Sequence, residues 1–134
     1  MSTCVIWLDS ARARIFKIDQ YGIKKVNVKL NEIQHSNGNH NRNMLNSSHK
    51  YFSDVAGAID LNHERILILG SGVAKFKFEK YLQRKFKLKT VNIISVETIK
   101  RCTDRQILQS SRDFFKKHSL FNRTAVIGLM KSYK

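Results

Sequence analysis

The stretch ERILILG, residues 64 to 70, limits the folds open to this chain more than any other. Its unbroken apolar run predicts a strand covered on both faces, the pattern of a central strand in a layered sheet. The run stops at Gly70-Ser71-Gly72, and a basic amphipathic segment, AKFKFEKYLQRKFKLK, follows directly. Ala74, Phe78, Tyr81, Leu82 and Phe86 recur at helical spacing and form one apolar stripe. A buried strand feeding a helix through a tight turn is half of a βαβ crossover, so the segment points to an α/β architecture.

The flanking sequence extends that architecture. TCVIWLD (3–9) is β-branched and apolar, and SARARIFKI (10–18) returns with alternation. In that return Ala11, Ala13 and Ile15 fall on one side, and Arg12, Arg14 and Phe16 on the other. Tyr21-Gly22 makes a turn, after which Val26, Val28 and Leu30 alternate with Lys25, Asn27 and Lys29 in a half-exposed strand. From Asn31 to Lys50 the chain holds six Asn and three His with little apolar content, which predicts a flexible loop over about 31–50. Ser47 or Ser48 caps a helix expected over 51–61, with Phe52, Val55, Ala56 and Ile59 inward. TVNIISVE (90–97) reads as a further, largely buried strand. Thr103 with Gln106 three residues on forms a capping box for a helix whose inner face is Ile107, Leu108, Phe114 and Phe115. TAVIGLM (124–130) has the composition of a last strand, within a C-terminal extension of about 119–134. The resulting order, β-β-β-loop-α-β-α-β-α, predicts one domain over residues 1–134, an α/β sandwich with a mixed sheet.

Charge narrows the partners. Twenty-five Lys and Arg against ten Asp and Glu give a formal net charge of +15. Such an excess carries self-repulsion and favours a polyanion. Residues 74 to 89 contain seven Lys or Arg and one Glu. The two cysteines, Cys4 and Cys102, match neither a disulfide framework nor a metal motif, as expected of reduced cytosolic thiols. No apolar stretch approaches membrane-spanning length, and the expected location is the cytoplasm without membrane association.

The glycine turn is not a cofactor loop. A phosphate loop needs G-x-x-x-x-G-K-[ST], and here the second glycine and the Lys-Ser/Thr pair are missing. The dinucleotide pattern G-x-G-x-x-G fails where Lys75 replaces the last glycine. The turn still leaves helix amides near Ser71 to Lys75 that favour an anion. Histidines 35, 40 and 49 match no compact zinc spacing and read as solvated loop residues, so no metal or cofactor is expected. A metal-dependent nuclease would require Asp9, Glu97 and Asp104 to converge, although Asp9 also suits a turn and Asp104 the first turn of a helix.

Three pieces, VIWLDSARARIF, ILILGSGVAKFKFEKYL and VETIKRCTDRQILQSSRDFF, occur in that order. With them the chain resembles bacterial proteins of the archaeo-eukaryotic release-factor-related type, over about residues 4–116. These in turn resemble the C-terminal domain of class I release factors and of the ribosome-rescue factor Pelota. The family turn commonly reads Gly-Pro-Gly before Ala-Lys. Here Ser71 stands in place of the proline, while Gly70, Gly72, Ala74, Lys75, Tyr81 and Leu82 fit. A histidine-bearing variable loop after the third strand is also typical of the family. The resemblance implies a three-layer α/β sandwich related to kink-turn-binding ribosomal proteins, and a link to translation. The Gly-Gly-Gln tripeptide that triggers peptide release is missing from the chain, so the resemblance does not extend to that activity.

These features together predict a non-enzymatic module that binds the ribosome, ribosomal RNA or another structured RNA. The expected contacts are Lys75, Lys77, Lys80, Arg84, Lys85, Lys87 and Lys89, with Arg12 and Arg14, and outward Lys25 and Lys29, extending the patch. The alternative is a protein adaptor for a translation factor, with basicity serving only to steer encounter.

Overall fold

A computed structural model describes residues 2–30, 40–86 and 92–117, with side chains for the middle segment from Ser48 onward. Among these residues the elements are β1 (Ser2–Leu8), β2 (Arg12–Asp19), β3 (Gly22–Lys29), α1 (His40–Gly57), β4 (Glu64–Gly70), α2 (Ala74–Phe86), β5 (Ile93–Thr98) and α3 (Asp104–Lys117). The strands form one mixed sheet in the order β3-β2-β1-β4-β5. β1, β2 and β3 are an antiparallel meander, whereas β4 runs parallel to β1 and β5 parallel to β4.

Both hairpin turns follow from short polar residues. Asp9 Oδ1 accepts the amides of Ala11 and Arg12 at 2.8 and 2.9 Å, closing the β1–β2 turn. Asp19 Oδ1 accepts the Tyr21 amide at 2.8 Å, and Gly22 then takes φ +137°, which suits glycine best. The expected central strand is β4, and its last five residues are buried. At its end Gly70 is required by close approach: a Cβ there would sit 2.1 Å from the Leu8 carbonyl oxygen.

Helices cover both faces, so the architecture is a three-layer α/β sandwich. On one face Cys4, Ile6, Leu8, Ala13, Ile15, Ile66 and Ile68 pack under Tyr51, Val55 and Ile59 of the α1 region and Phe78 and Leu82 of α2. On the other, Val5, Trp7, Phe16, Ile18, Leu67 and Leu69 pack under Ile107, Leu108 and Phe115 of α3. The strand period of two thus divides alternate residues of β1 and β4 between two cores. Fully burying each large side chain contributes about 1.5–3 kcal/mol.

Two expectations are corrected. Residues 40–50 are not loop but the first part of α1, which therefore starts eleven residues earlier than the expected Tyr51 and stops at Gly57 rather than Leu61. Asn-rich composition points to loop, yet residues 40–50 run without a break into the buried helical positions Tyr51, Val55 and Ala56. The His49 ring meets Tyr81 of α2 edge-on at 5.3 Å, tying this part of α1 to its neighbour. β5 is an edge strand whose first five residues are half-buried and whose last, Thr98, is exposed, not a largely buried strand. Residues 31–39 of the expected loop, and the expected strand at 124–130 with the rest of the C-terminal extension, lie outside the described residues.

The α3 capping box forms as expected. The Gln106 amide donates to Thr103 Oγ1 at 3.2 Å, and the Thr103 amide donates back to Gln106 Oε1 at 2.8 Å.

Candidate functional site

The Gly70-Ser71-Gly72 turn sets where α2 begins. Ile99 donates its amide to Gly70 O, Gly72 takes φ +73°, and Val73 O accepts the amides of Phe76 and Lys77 at 3.1 Å. Ala74, Lys75, Phe78 and Leu82 are then buried, and the opposite side of α2 is left to solvent and to α1.

On that outer side, Lys77, Lys80 and Arg84 recur at intervals of three and four residues, the spacing of neighbours on one helix face. All three are exposed, as is Lys85. Together with Tyr81 of α2 and with His49 and Phe52 of α1 they line a groove of about 370 Å³. Phe52 holds the groove floor together: its ring lies 5.5 Å from Phe78 and 5.8 Å from Tyr81, centroid to centroid. Among the described residues none of the four cations pairs with a carboxylate, and no carboxylate lines the groove. Like charges at Lys80 and Arg84, four apart, cost the helix about 0.2–0.5 kcal/mol. Rings flanked by unpaired cations are what an unstacked nucleotide requires: a surface for the base and charge for its phosphates.

The structure therefore sorts the expected contacts. Lys77, Lys80, Arg84 and Lys85 come together. Lys75 does not join them, since it is fully buried, donates from Nζ to Gly72 O and sits 4.6 Å from the Phe76 ring centroid. It closes the turn instead of meeting a phosphate, because position 75 lies on the inward edge of the first helical turn. Arg12 and Arg14 do not extend the patch, and neither do Lys25 and Lys29. They project from β2 and β3 on the α3 face, with the sheet between them and α2. Arg14 stacks over Trp7 at 4.7 Å and bonds Asp104 at 3.0 Å, and Lys25 bonds the same carboxylate. Lys87 and Lys89 lie outside the described residues.

The three carboxylates of the nuclease reading are separately engaged. Asp9 closes the β1–β2 turn, Glu97 accepts the Ser95 hydroxyl at 2.9 Å, and Asp104 joins Arg14 and Lys25 at the start of α3. Among the described residues no three His, Cys, Asp or Glu side chains gather as a metal set. Neither cysteine is an activated thiol. Burial pushes the Cys4 thiol far up, and burial also raises that of Cys102 against the lowering effect of Arg14.

What the sequence did not expose is the aromatic half of the groove. Phe52 and Tyr81 sat in apolar stripes and read as core, and His49 read as loop. The available signal was position, since both rings lie at the margin of their stripes, where a side chain is only half covered.

Comparison with solved structures places this geometry in a known fold. Thermoplasma acidophilum Pelota superposes with a TM-score of 0.58 at 24% identity, over 87% of this chain and 34% of that one. The fold is release-factor-like. Archaeoglobus fulgidus Pelota matches with a TM-score of 0.55 at 12% identity, over 89% of this chain and 34% of that chain. The archaeal translation termination factor aRF1 also gives 0.55, at 10% identity, over 89% of this chain and 40% of its own. The chain thus spans little more than a third of the length of these proteins. No family model matches the sequence, and no curated protein matches it significantly.

Proposed function

We propose that the chain is a translation-associated module of the cytoplasm that acts by binding rather than catalysis, holding ribosomal or other structured RNA in the groove between α1 and α2. The observation that carries this reading is the set Lys77, Lys80, Arg84 and Lys85, without carboxylate partners among the described residues and lining one groove with His49, Phe52 and Tyr81. The cations neutralise phosphates, and the half-buried rings of Phe52 and Tyr81, with the exposed His49, receive a base presented by a loop or bulge. The fold shared with Pelota and a translation termination factor supports the link to translation.

The test is co-sedimentation with ribosomes and titration of naked ribosomal RNA across a salt series. Four phosphate contacts give a slope of log K against log salt of roughly −3. Reversing Lys80 and Arg84 to Glu removes two of them and flattens the slope by about 1.4 or more. Unchanged RNA binding by a folded double variant removes the groove from the interface.

A protein-adaptor reading draws on one observation, the exposure of Val73 and Phe76 at the start of α2. A ribosome complex insensitive to salt and lost with Phe76→Ser would favour it.

A further inference from the structure

The cations that the fold keeps away from the groove form a second site. Register places Arg12 directly opposite Lys29, and Arg14 opposite Asn27, on the α3 face of the β2–β3 hairpin. Like charges facing each other across a ladder destabilise it. Here they border a cavity of about 400 Å³, lined by Arg12, Arg14, Lys25, Lys29 and Arg101, with Asp104 as its one carboxylate among the described residues. Asp104 bonds Arg14 and Lys25 from its two oxygens, at 3.0 and 2.5 Å. It engages Arg14 through a single nitrogen, and the buried Nε of Arg14 has no hydrogen-bond partner among the described residues. Arg12, Lys29 and Arg101 are exposed and take part in no ion pair among the described residues. One anionic charge is set against five cationic ones.

We propose that this cavity binds a phosphate-bearing ligand, with Arg12, Lys29 and Arg101 as direct contacts and with Asp104 holding Arg14 and Lys25 in place. The pocket's size falls within the range of small-molecule sites, about 300–1,000 Å³. Among the described residues no aromatic side chain lines it, in contrast to the groove between α1 and α2, so it selects charge and geometry rather than a base. The ligand's negative charge offsets the repulsion between Arg12 and Lys29, so binding stabilises the fold. The site is separated from the groove by the sheet and stands independently of it.

The structure supplies a reporter. Trp7 is the chain's single tryptophan, and the Arg14 guanidinium lies over its ring. Inorganic pyrophosphate, titrated into the full chain at constant ionic strength, is expected to change Trp7 emission saturably and to raise the melting temperature. Arg12→Gln with Lys29→Gln, both at exposed positions, weakens that binding roughly tenfold or more, the scale of losing two charge-assisted contacts. Lys50→Gln with Lys116→Gln removes the same net charge elsewhere and leaves the response intact. Competition by an RNA fragment identifies the ligand as a nucleic-acid phosphate, and absence of competition identifies a small phosphorylated molecule. A response that is absent, non-saturable, or equal in the Arg12/Lys29 variant and the wild type overturns the proposal. Loss of groove binding to RNA leaves these readouts unaffected, so the two readings fail separately.

Discussion

Replacing Gly70 with Ala tests the turn on which the groove depends. The added Cβ would stand 2.1 Å from the carbonyl oxygen of Leu8. Ordinary contact between such atoms begins more than an ångström further out, and the obstacle is backbone, so no side chain can swing aside. β1 and β4, paired in parallel from Ser2 with Glu64 to Trp7 with Leu69, must separate at their C-terminal ends. That separation also strains the Ile99 amide's bond to Gly70 O and shifts the start of α2. Overpacking typically costs 1–3 kcal/mol, and a clash against backbone belongs at the upper end, about 3 kcal/mol. For a domain of this size that lowers the melting temperature by roughly 10 °C. Gly57→Ala is the control. Gly57 is the last residue of α1, nothing lies within 4 Å of its Cβ position, and Ala there changes stability by under about 1 kcal/mol in either direction. Thermal melts followed by circular dichroism measure both. A Gly70→Ala protein melting within 2 °C or so of wild type, on the scale of a sub-kcal/mol change, would refute the close-approach account.

Three further outcomes follow from the same structure. Thr103→Ala removes the α3 cap and costs about 1 kcal/mol in denaturant unfolding, with Thr103→Ser restoring most of it. Asp104→Asn leaves Arg14 and Lys25 facing each other without their shared carboxylate. It lowers stability by about 1–3 kcal/mol and, by releasing Arg14 and Lys25 from their place, weakens pyrophosphate binding, readable from melts and Trp7 titrations of one variant. The Cys4 thiol and the Tyr51 hydroxyl have ordinary values of 9.0 and 10.0, and burial raises both in the fold. Their protonated forms are therefore favoured in the native state. The stability they lend is complete below pH 9 and falls above it, by about 1.4 kcal/mol per pH unit for Cys4 alone. Cys4→Ala flattens urea-unfolding free energies measured from pH 8 to pH 11.

The apolar run at 66–69 and the glycine turn after it were enough to place a central strand and the helix that follows. Strand alternation in residues 12–18 likewise placed Ala13 and Ile15 opposite Arg14 and Phe16. Local chemistry was legible where it acts locally, as in the Thr103–Gln106 cap and the Asp9 turn. It failed for residues 40–50, which extend the helix backward from the buried positions Tyr51, Val55 and Ala56, a continuity their own composition does not announce. The cations could be counted from the sequence but not sorted. Which side of the sheet each helix covers separates Arg12 and Arg14 from Lys80 and Arg84, and that is a property of the crossovers. Lys75 reads as one more surface lysine until the turn is built around it.

The groove between α1 and α2 is the proposed RNA site. Ultraviolet crosslinking of the chain to ribosomes, with mass-spectrometric mapping of the modified residues, tests it most directly. Crosslinks centred on Tyr81, Phe52 and His49, and lost when Lys80 and Arg84 are reversed, are the expected result. Crosslinks confined to the α3 face, or unaffected by that reversal, would contradict it.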